Sequence, residues 1–342
     1  MRKLIIGFSC GVMWSAAAGL PALADVAYVS NEKGSVSVVD LATLQIVKEF
    51  EIGGKNPRGI AVTKDGAYVL TANKETDDVS VIDTKTGQIA HRIIVGDGPE
   101  FLRIHGDFAY VTHEPGGRRE DGKAEVPEKA DERAQISEID LKTWKVTKSI
   151  QSGLETEGLE FSGDGKYLLA TNEGDETISV YDRASGKEIK SVSNREYGKR
   201  PRGIKITPDG KSYVVTLEGS SNIIVLDAQF NVTKSVPTKN GPYGIAFDPT
   251  GKYMLVAASR SSALQIFDAT TFALVKEVEL GMRCWHFTYT PDGSKILVAC
   301  GRSNDLRVID AKTFAPLAAI ADAKMPWGLV TYPKAYGSLD AP

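Results

Sequence analysis

The segment Met-Arg-Cys-Trp-His at 282–286 places a thioether, a thiol and an imidazole within five residues. A hairpin folded about Asp292 would set Cys284 opposite Cys300 on the neighbouring strand, where paired side chains approach closely. Because alternate residues of a strand share a face, Cys284 and His286 would point the same way. These residues could therefore form a disulfide or bind a metal.

Three interpretations of this segment are open from the residues alone. An oxidising compartment would favour a disulfide between Cys284 and Cys300. Two buried free thiols are the second interpretation. The third is a metal site built from Cys284, His286 and Cys300, with Met282 as an additional candidate ligand. Those ligand types would suit copper.

The elements that must carry this segment recur along the chain. A short apolar, β-branched run that closes on aspartate occurs seven times, with spacings of 43, 57, 42, 45, 41 and 42 residues. The closing residues are Asp40, Asp83, Asp140, Asp182, Asp227, Asp268 and Asp310. A period near 40–45 residues built from short strands predicts a β-propeller with one four-stranded sheet, or blade, per repeat.

Residues 57–95 show the pattern of one repeat. PRGIAV precedes a turn signal at Asp65-Gly66, and AYVLTAN and VSVID follow as second and third strands. Residues 88–95 alternate in polarity, which is typical of an outer strand with one wet face. The inner strands are nearly continuous apolar runs, which indicates burial between blades.

The two ends of the chain predict how the ring closes. The first repeat already begins with a second strand at Ala27 to Asn31, and the missing innermost strand reappears at Pro326 to Val330. We therefore predict an all-β, seven-bladed β-propeller closed by pairing of N- and C-terminal strands in one blade. Such closure leaves no sheet edge open.

Residues 1–24 are expected to lie outside this fold. Arg2 and Lys3 precede an uncharged, mostly apolar run, and Ala22-Leu23-Ala24 gives the small-x-small pattern of a signal peptide cleaved before Asp25. Lipidation at Cys10 is the less favoured alternative. We predict export to the periplasm and a propeller over 25–342, with no other stretch able to span a membrane.

The charge of the chain and one insertion further limit the range of possible functions. The chain carries 41 Lys and Arg against 44 Asp and Glu, with no long basic run, which argues against nucleic acid as a partner. The third repeat is long because of a charged, Gly- and Pro-rich insertion at 114–135. It is either a tolerated surface loop or an arm over the channel mouth.

Residues at the start of innermost strands and the end of second strands should ring the channel mouth, where loops held by a rigid scaffold carry function. We expect arginines and aromatic rings there to bind a small planar anion by pairing and stacking. The alternative is that the charges pair with one another and the rings plug the pore. The candidate ligand-binding residues are Arg58, Glu100, Glu157, Arg202, Tyr243, Arg260, Trp285, His286, Arg302 and Trp327.

YVTH at 110–113, YVLTAN at 68–73 and the phrase VSVID followed by Thr-Gly resemble the YVTN family of β-propeller repeats. The exported, seven-repeat form is also similar to propeller proteins associated with PQQ-dependent catabolism. That resemblance implies a periplasmic accessory of a quinoprotein oxidation pathway with no assigned molecular activity. We therefore predict a monomeric binding module that docks a redox protein or holds a small planar ligand, in preference to an enzyme.

An enzyme or cofactor carrier is the rival hypothesis. PQQ or haem would be the planar anion at the mouth, and copper would use Cys284, His286 and Cys300. Haem-containing nitrite reductase is a more distant resemblance, and the lactonase family shares the repeat but no further signature. His113 is a haem-ligand candidate if not an ordinary rim residue. A lactonase-like site would use a divalent cation held by carboxylates from Glu32, Glu114, Glu157, Glu173 and Glu218.

Overall fold

A computed structural model describes residues 25–115 and 133–340 as seven four-stranded antiparallel sheets. Blade one contains β1 (Val26–Asn31), β2 (Ser35–Asp40), β3 (Gln45–Glu51) and β28 (Pro326–Tyr332). Blade two contains β4 (Pro57–Val62), β5 (Tyr68–Asn73), β6 (Asp78–Asp83) and β7 (Ile89–Ile94). Blade three contains β8 (Pro99–His105), β9 (Phe108–His113), β10 (Gln135–Asp140) and β11 (Lys145–Gln151).

The remaining blades follow in chain order. Blade four contains β12 (Thr156–Phe161), β13 (Tyr167–Asn172), β14 (Thr177–Asp182) and β15 (Lys187–Ser193). Blade five contains β16 (Pro201–Ile206), β17 (Tyr213–Leu217), β18 (Asn222–Leu226) and β19 (Val232–Pro237). Blade six contains β20 (Pro242–Phe247), β21 (Tyr253–Ala258), β22 (Ala263–Asp268) and β23 (Leu274–Glu279). Blade seven contains β24 (Cys284–Tyr289), β25 (Lys295–Cys300), β26 (Asp305–Asp310) and β27 (Pro316–Ile320), with a single 3-10 turn at Gly301–Ser303.

The ring closes as the sequence predicts. β28, from the end of the chain, pairs antiparallel with β1, and Val29 lies opposite Leu329. β28 also contacts the innermost strands of blades two and seven, β4 and β24. The predicted seven-bladed propeller with a shared blade is confirmed.

Burial explains the two kinds of strand. Every residue of the inner strands β4, β5 and β6 is buried or partly buried, because adjacent blades cover both faces of these strands. In the outer strand β7 only Ile93 is buried, since its other face meets solvent. The core therefore lies between blades and around the axis.

The recurring aspartate holds the turn after each third strand. Asp83 Oδ1 accepts hydrogen bonds from the backbone N–H groups of Lys85 and Thr86 at 3.0 and 2.8 Å. The Thr86 backbone bond is the largest contribution that lowers the pKa of Asp83. The same two backbone bonds recur at Asp40, Asp140, Asp268 and Asp310.

The segment after β28 was not predicted. Residues 333–340 turn back beneath the ring and enter the channel from the end opposite the starts of the inner strands. Gly337 forms an isolated β-bridge with Thr288, and Ser338 and Leu339 are buried. The segment lacks periodicity, so no sequence pattern marks it as structured.

Two other sequence predictions concern the insertion in the third repeat and the segments that could enter a membrane. Of the insertion at 114–135, only the ends are described, and residues 116–132 lie outside the described residues, as does the predicted signal peptide at 1–24. Across the described ranges, the structure contains no helix with the length and apolar character needed to cross a bilayer.

Candidate ligand site at the channel mouth

A cavity of about 490 Å³ opens where the inner strands begin. Seven of the ten candidate residues line it: Arg58, Arg202, Tyr243, Arg260, Trp285, Arg302 and Trp327. Glu157 and His286 lie deeper, beside a chamber of about 10 Å³ on the axis, and Glu100 is buried behind the wall. Seven cationic side chains and six carboxylates line the cavity, so it is strongly polar.

On one side of the mouth the charges are closely paired. Arg58 contacts Glu32 at 3.1 Å and Glu100 at 2.5 Å. Lys74 contacts Glu100 at 3.0 Å and also pairs with Glu114. Burial opposes ionisation of Glu100, but the charges of Arg58 and Lys74 outweigh it and lower its pKa to about 2. Each cation here pairs with two carboxylates, and Glu100 is shared by both cations.

Oxygen atoms of Glu100, Glu114 and Glu157 lie within 4.8 Å of one another, a spacing that could hold a cation. Lys74 already contacts two of these carboxylates with its ammonium group. A metal ion would have to displace Lys74. This cluster is therefore better described as a lysine-neutralised acidic cluster than as a metal centre.

The other side of the mouth has an excess of arginine. We call Arg200, Arg202, Arg260, Arg283 and Arg302 the arginine sector. The buried guanidinium of Arg202 contacts Glu173 at 2.6 Å, Glu218 at 3.1 Å and also Glu157. Tyr243 accepts a 3.2 Å hydrogen bond from Arg202.

Glu218 is shared by most of this sector. Arg260 lies 3.2 Å from Glu218, Arg283 lies 3.7 Å away, and Arg200 lies 3.8 Å away. Within residues 25–115 and 133–340, no carboxylate lies within ion-pairing distance of Arg302. Burial, and then the charges of Arg302 and Arg260, lower the pKa of Arg283 against the opposing charge of Glu218.

The carboxyls of this sector differ in pKa. Burial, together with the neighbouring carboxylates, raises the pKa of Glu157 well above its usual value and that of Glu173 to about 7, although Arg202 opposes both changes. Four arginines outweigh the burial of Glu218 and lower its pKa. Glu173 lines the cavity, and a carboxyl with a pKa of about 7 is suited to general acid–base chemistry near neutral pH.

Aromatic rings form the floor of the cavity. The ring centroid of His286 lies 4.4 Å from that of Trp327, 5.4 Å from that of Tyr243 and 6.2 Å from that of Phe101. Tyr243, Trp285 and Trp327 are each at most 5 % exposed. These rings close the channel and offer little open surface for a stacking ligand.

His286 is held from below by the tail. Its Nδ1 lies 3.0 Å from the Ser338 hydroxyl, while its Nε2 has no hydrogen-bond partner among the described residues. Burial lowers the pKa of His286 to about 3. The ring is neutral at physiological pH.

The other candidate histidine is engaged by the protein. His113 Nδ1 lies 3.3 Å from the Asp97 carbonyl, and Nε2 lies 3.0 Å from the Ser137 hydroxyl. Burial lowers its pKa to about 4. His113 occupies the position of Asn73 and Asn172, whose side chains also reach a serine on the third strand, so its contacts are structural.

Cys284 and Cys300 are bonded to each other, with the Sγ atoms 2.02 Å apart. The two residues lie directly opposite in the register of β24 and β25, as the hairpin about Asp292 predicts. With both sulfurs in the disulfide, neither is a thiolate available to a metal beside His286.

Sequence reasoning missed one ring of mouth residues. The residue before each innermost strand has a left-handed backbone, with φ between 51° and 73°; these residues are Asn56, Gly98, Glu155, Arg200, Gly241, Arg283 and Met325. A left-handed conformation costs about 1 kcal/mol or more for a residue other than glycine. Arg200 and Arg283 could have been found from the sequence, because each is an arginine at a position where blades three and six have glycine.

Two parts of the chain match models of known protein families. Residues 130–283 match the family described as Cytochrome D1 heme domain, and residues 24–102 match the family described as Lactonase, 7-bladed beta-propeller. The first match covers four of the five arginines of the sector, and the second covers the paired side with Arg58 and Lys74. Each match covers less than half of the chain.

The proteins to which this chain is similar include the following three. A seven-bladed beta-propeller protein of Mycobacterium tuberculosis is 26 % identical over 48 % of this chain, and the match spans only 40 % of that relative's length. A 6-phosphogluconolactonase of Formosa agariphila is 23 % identical over 66 % of this chain and 70 % of its own. The solved structure of Kuenenia stuttgartiensis hydrazine synthase is 26 % identical, with a TM-score of 0.71 over 83 % of this chain and 92 % of that one.

Proposed function

We propose that the mouth cavity binds a small, polar, anionic ring compound of the sugar-lactone class and hydrolyses its lactone bond. The observation that carries this proposal is the arginine sector, in which four guanidinium groups share Glu157, Glu173 and Glu218, while the fifth, Arg302, has no carboxylate within ion-pairing distance among the described residues. Like charges crowded in a concave site repel one another, and a bound anion would relieve that repulsion.

The polarity of the cavity favours this ligand over a large apolar one. Cofactor pockets for hydrophobic groups are lined mainly by apolar and aromatic side chains. Here the rings are buried in the floor and charged groups line the wall. A polyhydroxylated anion could pair with Arg283 and Arg302 while its hydroxyls meet the carboxylates across the mouth.

Glu173 would act as the general base. Its carboxylate would take a proton from water, the oxygen of that water would bond to the lactone carbonyl carbon, and the ring C–O bond would break. The proton would then pass to the departing ring oxygen, which leaves a hydroxy acid. The arginines would stabilise the oxyanion of the intermediate, since fixed positive charge lowers such barriers.

The comparisons support this proposal more than they support our first expectation. The lactonase match and the 6-phosphogluconolactonase relative name lactone chemistry. None of the three similar proteins is named for PQQ, so the role of accessory to a quinoprotein pathway stays a prediction, as do export to the periplasm and the monomeric state. A lactonase-like enzyme was the alternative to that role.

A haem-type ligand is the second candidate, because the Cytochrome D1 heme domain match covers most of the arginine sector. Arginines could pair with the carboxylates of such a cofactor. Against this, no histidine is among the described residues that line the cavity. A visible spectrum during titration with haem would show a shifted Soret band if this candidate holds, and a redox partner would then be sought.

The experiment combines calorimetry with a hydrolysis assay. We expect 6-phosphogluconate to bind at the mouth and 6-phosphogluconolactone to be hydrolysed faster than in buffer. Arg302→Gln should weaken binding by about tenfold or more, since hydrogen bonds to charged groups contribute about 1.5–3 kcal/mol. Lys142→Gln is the control, because Lys142 pairs with Asp107 on the exposed opposite face. Hydrolysis at the buffer rate would exclude the reaction, and absence of binding would exclude the site.

A further inference from the structure

Blade seven replaces a recurring contact with a covalent bond. In the register of the first and second strands, Cys284 and Cys300 occupy the positions that Pro57 and Asn73 occupy in blade two. Asn73 uses its side chain to reach the third strand of its own blade. The disulfide instead joins the first strand to the second, next to the channel mouth.

The same blade carries the two arginines with the weakest pairing. Arg202 has two carboxylates within 3.1 Å besides its contact with Glu157. Arg283 reaches only Glu218, at 3.7 Å, and its buried Nε has no hydrogen-bond partner among the described residues. Ion pairs therefore do little to fix Arg283 or Arg302.

The disulfide is directly linked to the backbone of both arginines. Arg283 precedes Cys284, and Arg302 lies in the 3-10 turn that begins immediately after Cys300. The Gly301 N–H donates to the Arg283 carbonyl at 3.0 Å, and the Arg302 N–H donates to the Met282 carbonyl at 3.1 Å.

Two local features show how closely this corner is fitted. Arg283 has a left-handed backbone with φ 53°, and its guanidinium lies 5.7 Å from the ring centre of Trp285. A Cβ at Gly301 would lie 1.9 Å from the ring of Trp285, so that ring packs directly on the glycine. A small shift of either strand would break both contacts.

We propose that the Cys284–Cys300 disulfide positions Arg283 and Arg302 for the anion, so that neither arginine needs a carboxylate to hold it. A carboxylate partner would fix an arginine but would also compete with an anionic ligand for it. A covalent cross-link fixes the backbone and leaves the charge available. This inference rests on the proposed anion site and adds a positioning role for two residues that do not touch the ligand.

The test is calorimetric titration of the full chain with 6-phosphogluconate. We expect Cys284→Ala/Cys300→Ala to weaken binding by about tenfold, because the loosened backbone at both arginines must then be ordered on binding, which costs affinity. The stability control is Ile224→Ala, which removes fully buried core atoms of blade five away from the mouth. Its affinity should equal that of the unmodified protein.

A double-mutant cycle separates positioning from general loosening. Arg302→Gln should cost much less affinity in the Cys284→Ala/Cys300→Ala protein than in the unmodified one. Equal costs in both backgrounds, or unchanged affinity of Cys284→Ala/Cys300→Ala, would overturn the positioning role while the anion site stands. If the unmodified protein binds no 6-phosphogluconate, the proposed function itself has failed. Should the alanine pair fail to fold, Cys284→Ser/Cys300→Ser breaks the same cross-link and is titrated instead.

Discussion

Replacing Glu173 by glutamine should stabilise the protein above neutral pH while abolishing hydrolysis. The pKa of this buried carboxyl rises from 4.5 to about 7, so its environment favours the neutral form despite Arg202 and Arg200. At 1.36 kcal/mol per pKa unit, that rise corresponds to about 3 kcal/mol of folding free energy lost on ionisation. Glutamine keeps the shape and cannot ionise.

The sign follows from linkage. A carboxyl with a raised folded-state pKa leaves stability intact below its unfolded pKa, and stability falls as pH rises toward about 7. We therefore expect Glu173→Gln to gain about 3 kcal/mol at pH 8 and less than about 1 kcal/mol at pH 5. Its stability should depend less on pH than that of the unmodified protein.

Glu218→Gln is the matched control, because the same chemical change is made at a carboxyl whose pKa is lowered by surrounding arginines. The ionised form of Glu218 contributes stability above its unfolded pKa, and that stability is lost as pH falls through the folded pKa. Glu218→Gln should therefore lose stability at pH 8. Urea unfolding followed by tryptophan fluorescence at pH 5 and pH 8 measures both variants. Equal destabilisation of the two at pH 8 would refute the assignment of Glu173 as the strained carboxyl.

Four other outcomes are expected. Arg202→Met should lose at least about 3 kcal/mol in urea unfolding, because it leaves Glu157, Glu173 and Glu218 without their shared cation. Arg283→Gly should gain about 1 kcal/mol in urea unfolding from relief of its left-handed backbone, yet it should weaken anion binding in calorimetry. The His286 ring should show no titration between pH 5 and pH 8 in nitrogen NMR, because its pKa is about 3. Deletion from Met325 onward should abolish cooperative melting, since it removes β28 from blade one.

The fold could be predicted because it repeats. The apolar pattern of a single strand such as β5 does not distinguish a strand from a buried helix. Seven copies with the same closing aspartate identify the segment as a strand and give its place in the blade. The closing strand followed from a count: the first repeat lacks one strand and the last residues supply it. The tail at 333–340 has no second copy to compare, and its burial depends on Ser338 and Leu339 meeting a channel that no local pattern describes.

The site was predicted only in outline, for a related reason. Arg58, Arg260 and Arg302 were correctly placed at the mouth, because the position of a residue along its strand can be read directly from the sequence. Whether a charge is paired depends on neighbours from other blades, and the sequence does not show that Arg58 has two carboxylates while Arg302 has none among the described residues. Arg200 was not among the candidates because it precedes β16, and the strand pattern locates only the starts of innermost strands and the ends of second strands.

The asymmetry of the mouth argues for a ligand more strongly than any single residue does. A ring of seven similar blades could pair every cation with carboxylates, as it pairs Arg58 and Lys74 with Glu32, Glu100 and Glu114. On the other side, Arg283 adopts a costly backbone conformation to join two arginines that repel it. The backbone does not require an arginine there, since glycine serves at the equivalent position of blades three and six. The cost is explained if the sector is completed by an anion that the chain itself does not supply.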